Sequence, residues 1–288
     1  MSFKNTFLPV QTMLQSGSRL LDLSRPVVMG ILNATPDSFY NKGRDSSLDD
    51  LLRKAEQMSA AGASILDIGG ASSRPGTDLA SPDEELPRVL PVIEAIHARF
   101  PELWLSIDTY NARTAKEAVA AGVAVVNDIS GGRFDSDMFT TVANLKVPYI
   151  AMHIQGTPKT MQQNPVYENV VSEVREELRG VCSQATQAGI TDIIVDPGFG
   201  FGKTVAQNFE LLRNLHTLRI LGRPVLAGIS RKSMICRTLN VLPDEALNGT
   251  TALHIVALQQ GANILRAHDV REAMEVISLF EHLEPPKA

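Results

Sequence analysis

Three side chains, Asp108, Asn127 and Asp196, each close a short, largely apolar run rich in β-branched residues, at 103–107, 124–126 and 192–195. A charged group there is costly to desolvate unless a partner satisfies it. Two carboxylates and an amide turned into one pocket suit a flat heterocycle with several N–H donors, such as a 2-amino-4-oxopyrimidine ring. Taken singly, Asp108 or Asn127 could equally cap a following helix; the three together favour the pocket. Lys232 follows the run 224–229, and Arg266 and His268 follow 263–265. Arginine offers a planar fork of donors, histidine another donor, and the first N–H groups of a helix starting near Arg231 add partial positive charge. In a chain of net charge −5 this is the one dense cationic cluster at a strand end, and it reads as a phosphate or pyrophosphate site. The alternative is that Arg266 pairs with Asp269 or another acid and seals the fold.

Eight such runs are present, the others being 26–32 into Asn33, 64–66 into Asp67 and 148–152 into His153. Between consecutive runs lies enough chain for a helix. Eight βα units with polar strand ends predict a (β/α)8 TIM barrel whose active site lies at the C-terminal ends of its strands; the competing arrangement is a doubly wound sheet. Helices are expected at 48–61, 86–100, 111–121, 167–188 and 250–260, each followed by Gly or preceded by a capping signal. Ser46/Ser47-x-x-Asp and Ser81-Pro-Asp-Glu84 mark two helix starts. Residues 1–24 read as an N-terminal extension, with a strand pair capping the barrel bottom, and 25–288 as the barrel itself. The loops at 33–45 and 69–81 are longer than a barrel needs and rich in Gly, Pro and Ser, as lids or substrate clamps are.

With 44% hydrophobic residues the 288-residue chain can fill a large core. No apolar stretch approaches the length of a membrane span, and the first twenty residues lack a signal peptide's apolar centre. Cys182 and Cys236 are far apart and form no CxxC, which fits a reducing cytoplasm and argues against a disulfide framework or structural zinc. The acidic balance carries no footprint for nucleic acid. The tail of Asp196-Pro-Gly-Phe-Gly-Phe-Gly-Lys-Thr204 mimics a P-loop, but Pro197 stands where the first glycine must be, and the spacing fails. Its glycines are expected to let backbone approach a ring, with Phe199 or Phe201 as an apolar wall. His153 reads as a satisfied strand-end histidine rather than a base. With no triad, HExxH or paired cysteines, the chemistry must rest on positioning and electrostatics.

Met29-Gly-Ile-Leu-Asn33-Ala-Thr-Pro-Asp37-Ser-Phe39, Asp67-Ile-Gly-Gly-Ala-Ser-Ser73-Arg-Pro-Gly76, Ser106-Ile-Asp108-Thr and Asn127-Asp-Ile-Ser-Gly-Gly132 resemble the dihydropteroate synthase family of pterin-binding TIM barrels. So do Met152-His-Ile-Gln-Gly-Thr-Pro-Lys-Thr-Met161, the segment 196–203, Ser230-Arg-Lys-Ser233 and Arg266-Ala-His-Asp269, all in family order from about residue 25 onward. The resemblance implies condensation of (7,8-dihydropterin-6-yl)methyl diphosphate with 4-aminobenzoate to 7,8-dihydropteroate and pyrophosphate, in folate biosynthesis, through early loss of pyrophosphate. It implies that Asp108, Asn127, Asp196 and Lys232 hold the pterin. Asn33, Ser73, Arg74, Arg266 and His268 would hold the diphosphate, with Asn33 also facing Mg2+. Phe39, Pro75, Phe201, Lys232 and Ser233 would shape the 4-aminobenzoate slot. Asp108, Asp196, Lys232 and Arg266 would carry the catalysis. A cytoplasmic homodimer is implied as well, in a family that is a sulfonamide target; the sensitivity of this chain does not follow from its sequence.

Two positions depart from the family pattern: Asn41 replaces an acid in the first loop, and Ala71 stands where many members have Glu. Both put loop closure and metal coordination in question, not the reaction class. Two further readings compete. A pterin-binding methyltransferase domain shares the barrel but needs no diphosphate site. A catalytically inactive barrel would only bind.

Overall fold

The computed structural model describes residues 10–34, 48–72 and 74–283. An antiparallel hairpin of β1 (Met13–Ser16) and β2 (Arg19–Asp22) comes first. There follow β3 (Val27–Asn33), α1 (Leu48–Ala60), β4 (Ile65–Gly69), α2 (Pro82–Arg99), β5 (Trp104–Asp108) and α3 (Ala112–Ala120). Next are β6 (Val125–Asp128), α4 (Met138–Leu145), β7 (Tyr149–Met152), α5 (Val170–Gln187), β8 (Ile193–Asp196) and α6 (Val205–Arg213). The chain ends with β9 (Leu226–Ala227), α7 (Ser233–Leu239), α8 (Leu247–Gln259), β10 (Ile264–Ala267) and α9 (Val270–Leu283).

The eight strands of the main sheet run in the order β8-β7-β6-β5-β4-β3-β10-β9, every pair parallel. A parallel bridge from Val195 to Val225 joins the two ends of that order, and the Val195 N–H donates to the Pro224 carbonyl at 2.9 Å. The sheet is therefore a closed (β/α)8 barrel, not a doubly wound one.

Most sequence expectations hold to within a few residues, and the differences have local causes. The helix expected from Tyr167 starts at Val170 because Asn169 caps it, its Oδ1 accepting the Ser172 N–H at 2.9 Å. The helix expected from Thr250 begins at Leu247. β9 covers only two residues of the 224–229 run. Beyond it the chain turns, with the Lys232 N–H on the Ile229 carbonyl and Arg231 at φ 55°. Ser81 opens α2 as expected, the Glu84 carboxylate accepting both the Ser81 N–H and its hydroxyl at 2.8 Å. Ser46 and Ser47 lie outside the described residues.

The fold positions a site through the alternation of its strands. Met29, Ile65, Trp104, Val125, Ile150, Ile194, Leu226 and Ile264, one from each barrel strand, pack together inside the lower half. Side chains two apart on a strand share a face, so the next inward position on each strand is Ile31, Asp67, Ser106, Asn127, Met152, Asp196, Gly228 and Arg266. An apolar plug thus lies directly beneath a polar layer. The alternate residues pack outward against the helices in the main core, among them Leu66, Leu105, Val126, Tyr149, Val195 and Leu265. Leu14 of β1 and Leu23 after β2 complete the plug from below, and Asp192 fixes the hairpin by accepting the Gln15 N–H at 2.6 Å.

The hairpin is accordingly part of the core. Leu14 is 0% exposed, and Leu14→Ala is expected to lower the free energy of unfolding by about 2–5 kcal/mol, read from denaturant titration. A loss below about 0.5 kcal/mol, the range of a surface change, would show that the hairpin does not seal the barrel.

Candidate active site

Arg266 stands at the centre of the polar layer. Its Nε donates to Asp67 Oδ2 at 2.7 Å and its Nη2 to Asp108 Oδ2 at 2.8 Å. Asp67 Oδ2 also accepts from Asn127 Nδ2 at 3.0 Å. Four strands, β4, β5, β6 and β10, are thereby tied across the barrel interior. Asp67 Oδ1 is buried and has no hydrogen-bond partner among the described residues. Burial pushes the Asp108 carboxyl up, to about 7, against the pull of Arg266 and with the help of Asp67. Burial works against the Arg266 charge, yet Asp67 and Asp108 outweigh it and raise its pKa.

A second charged pair faces the first. Asp196, at the end of β8, is 5% exposed and its Oδ1 accepts the Gly198 N–H at 2.7 Å. Burial raises its pKa, opposed chiefly by Lys232. Lys232 is lowered to about 8 by burial, opposed by Asp196. Its Nζ donates to the Phe199 carbonyl and sits 4.5 Å from the centre of the Phe201 ring, a cation–π distance. The turn after Asp196 needs glycine at 198: φ is +68° and a Cβ would lie 1.9 Å from the His153 carbonyl oxygen.

Above these groups opens a cavity of about 250 Å3, lined by Asn33, Ser72, Arg74, Asp108, Phe201, Ser230, Lys232, Arg266 and His268 among others. Asn127 and Asp196 do not line it: Asn127 connects to the lining Arg266 through Asp67, and Asp196 Oδ2 lies 3.8 Å from where a Cβ on the lining Gly228 would be. At the rim the His268 backbone N–H donates to Ser230 Oγ at 3.2 Å, and that hydroxyl lies 3.1 Å from His268 Nδ1. With the hydroxyl proton directed at Nδ1, Nε2 carries the ring proton. Desolvation and then the Arg266 charge hold His268 below its ordinary value, so at neutral pH it offers an N–H and no charge.

The structure thus brings together Asn33, Arg74, Asp108, Asn127, Asp196, Phe201, Lys232, Arg266 and His268. Pro75 and Ser233 are exposed and do not line the cavity. Phe39, Ser73 and Asn41 lie outside the described residues. Neither Asp108 nor Asn127 caps a helix. Asp135 Oδ2 takes the first N–H of α3, at Ala112, at 2.8 Å, and the neighbouring Asp128 takes the turn after β6 through Ser130 and Gly132. Asp269 is held by Arg231, at 2.7 and 2.8 Å, while Arg266 is held by two other acids. Phe201 rather than Phe199 forms the apolar wall, since Phe199 is 0% exposed in the main core.

The 69–81 loop is fastened at several points: Arg88 Nη1 on the Gly70 carbonyl at 2.9 Å, the Ala80 N–H on Tyr110 Oη at 2.6 Å, and the Gly76 N–H on the Pro158 carbonyl at 3.0 Å. Ala71, like Phe201, packs against the apolar cluster that includes Tyr110 and Met161, so where the resemblance leads one to expect an acid this chain extends an apolar wall. Sequence reading passed over Asp67 as a site residue. The signal was its place two residues after Ile65, on the inward face of β4.

The family model of pterin binding enzymes matches residues 29–268. The dihydropteroate synthase of Escherichia coli (strain K12) is 44% identical over 263 residues, which cover 91% of this chain and 93% of that protein. The solved structure of Yersinia pestis dihydropteroate synthase with a sulfonamide drug matches with a TM-score of 0.89 at 42% identity, covering 94% of this chain and 98% of that one. The Xanthomonas albilineans dihydropteroate synthase in complex with 7,8-dihydropteroate matches with a TM-score of 0.85 at 38% identity, over 94% and 98%. The polar layer, the cavity above it and these likenesses over nearly whole chains agree, and the chain belongs to the pterin-binding enzyme family, among the dihydropteroate synthases.

Proposed function

We propose that this chain joins (7,8-dihydropterin-6-yl)methyl diphosphate to 4-aminobenzoate, releasing 7,8-dihydropteroate and pyrophosphate, as a transferase of folate synthesis. The observation that supports it best is the buried set of Asp67, Asp108 and Asp196 with Arg266 and Lys232 beneath a cavity rimmed by donors. Asp108, Asn127 and Asp196 are the acceptors for the ring's N–H groups, and Lys232 faces the ring's carbonyl side. The rim, with Asn33, Arg74, Arg266 and His268, takes the diphosphate, joined by Ser73. Phe201 forms the wall for 4-aminobenzoate; Phe39, Pro75 and Ser233 join the slot on the family resemblance alone, Pro75 and Ser233 being exposed and outside the cavity lining.

The bond from the methylene carbon to the diphosphate oxygen breaks first. The positive charge left on the methylene spreads into the pterin, near the Asp108 and Asp196 carboxylates, while the leaving oxygens gather charge beside the rim donors. Fixed charges placed where charge develops are the main lever such a site has. The aryl amine then forms the carbon–nitrogen bond and gives up a proton. That amine is neutral at pH 7, so no strong base is required, consistent with a His153 whose pKa burial lowers to about 4.

Magnesium belongs to the same reading. No cluster of three His, Cys, Asp or Glu able to hold a metal is present among the described residues. Asn33, exposed at the end of β3 and lining the cavity, fits the sparse protein coordination that Mg2+ accepts when substrate phosphates and water complete its shell. Bound there, it would neutralise charge on the leaving group. The reading also includes a cytoplasmic homodimer. Both cysteines are free, and among the described residues no helix is long and apolar enough to cross a membrane. A methyltransferase role is disfavoured by the rim of anion donors, which such a domain would not need.

Three outcomes test the proposal. Pyrophosphate release from the dihydropterin diphosphate should require 4-aminobenzoate and Mg2+ for sustained turnover, and Asn33→Ala should raise the Mg2+ concentration needed. Substrate binding without any turnover would leave a binding protein. The pH profile of kcat/KM should rise as Asp108 ionises toward its pKa of about 7 and fall as Lys232 loses its proton near 8, and Asp108→Asn should abolish the acid limb. Asp196→Asn should lose more in kcat than in pterin binding, because charge stabilisation is strongest in the transition state. A variant equally weakened in both, with kcat per bound substrate unchanged, would confine Asp196 to binding.

A further inference from the structure

The loop between β8 and α6 has no regular secondary structure, yet its backbone is held residue by residue. Five consecutive carbonyls accept from side chains. Gly198 and Phe201 accept from Lys203 Nζ at 2.9 and 3.0 Å, and Phe199 accepts from Lys232 Nζ. Gly200 accepts from Gln162 Nε2 at 2.7 Å and Gly202 from Tyr167 Oη at 2.7 Å. Lys203 alone holds two of them, one on each side of the Phe199–Gly200 turn. Its third contact is His153 Nδ1, at 2.9 Å.

Three acceptors around one ammonium use all three of its N–H groups. The contact with Nδ1 requires that nitrogen to be unprotonated, which places the ring proton on Nε2, 3.2 Å from Glu177 Oε2. Glu177 Oε1 in turn meets Arg133 Nη1 at 2.6 Å, and the Arg133 Nε donates to the Ser130 carbonyl at 3.0 Å. Lys203 and His153 are each 2% exposed. Burial lowers Lys203 to about 7, with the carboxylates of Asp196 and Glu177 opposing.

We propose that Lys203, backed by His153 and Glu177, is a positioning residue that sets the conformation of the 197–202 loop and so places the Phe201 wall and the Phe199 carbonyl that orients Lys232. The proposal rests on the reading of Phe201 as the wall of the 4-aminobenzoate slot. Lys203 reaches no substrate itself: its three donors are used within the protein. An apolar side chain of similar length would leave the Phe201 carbonyl without its donor and the Gly198 carbonyl with only the Phe201 N–H, at 3.1 Å, and the loop would re-form around water or a different turn.

The test is a double-mutant cycle on the full-length protein. Lys203→Met should keep the wild-type circular dichroism spectrum and raise KM for 4-aminobenzoate by about 10- to 100-fold, the scale of a misplacement of about 1 Å, with a smaller fall in kcat. Phe201→Ala should raise the same KM. In the Phe201→Ala background, Lys203→Met should add little, because two residues acting through one element are not additive. Full additivity, or an unchanged KM in Lys203→Met, overturns the proposal. A KM unmoved by Phe201→Ala alone overturns the reading of the slot instead. Should Lys203→Met fail to fold, Lys203→Gln, which keeps donors for the carbonyls but none for His153, should show a smaller KM rise. A Lys203→Gln that also fails to fold would make Lys203 a support of the barrel as a whole and end the proposal.

Discussion

Compensation of buried charge inside an apolar barrel is the constraint on which the rest of this molecule depends. Asp67, Asp108 and Asp196 are carboxylates in or beside the polar layer, and Arg266 and Lys232 are the cations that face them. In such surroundings an unpaired charge costs several kcal/mol after relaxation. Arg266 answers this by serving two carboxylates from different nitrogens, at 2.7 and 2.8 Å. Breaking a buried pair by removing one partner typically costs about 3–5 kcal/mol, so truncating Arg266 would leave two acids to protonate or to draw in water. Its role is structural and chemical at once. The sequence-level alternatives of anion-binding residue and internal seal describe the same side chain.

The plug beneath explains why such a cluster is tolerated. With eight inward apolar residues, Leu14 of the hairpin and Leu23 after it filling the lower barrel, the charges of the polar layer are closed off from below, and they meet one another, a few fixed dipoles of the protein and what enters from above. Asp67 shows the cost of this arrangement. Its Oδ2 serves Arg266 and Asn127, while its Oδ1 has no partner among the described residues. A buried acceptor of this kind in the site floor is consistent with a site built for a ligand or ordered water rather than for stability alone.

Much of this was legible in the chain. The apolar runs and their polar ends gave the barrel and most of the site, because strand alternation and polar strand ends are local patterns. Carrying the alternation one step further would have shown that Asp67, Asn127, Asp196 and Arg266 each lie two residues beyond a plug residue and so face one another. What alternation does not carry is pairing at long range. That Arg266 meets Asp67, 199 residues away, and that Arg231 rather than Arg266 takes Asp269, depends on barrel closure and on the turn after β9. The glycine-rich 196–203 segment was rightly separated from a P-loop by spacing. The destination of Lys203, turned back onto its own loop and onto His153 just after β7, has no trace in the local pattern. Nor did the composition of the 69–81 loop reveal its tethers to Tyr110, Arg88 and the 157–161 turn.

The same constraint sets how stability and readiness for chemistry vary with pH. Asp108 has a folded pKa raised from 3.8 to about 7, so between those values the folded chain holds a proton that the unfolded chain has released, and stability falls as pH rises through that window. Lys232 is lowered from 10.5 to about 8. Between 8 and 10.5 the unfolded chain holds the extra proton, and stability rises with pH there. The two effects leave a minimum between about pH 7 and 8, where the acid has ionised and the amine is still charged. That is the protonation state in which Asp108 can accept from a ring N–H while Lys232 donates. A site assembled from desolvated charges is least favourable to the fold in the state that binds best, and the ligand's own hydrogen bonds supply what the empty pocket lacks.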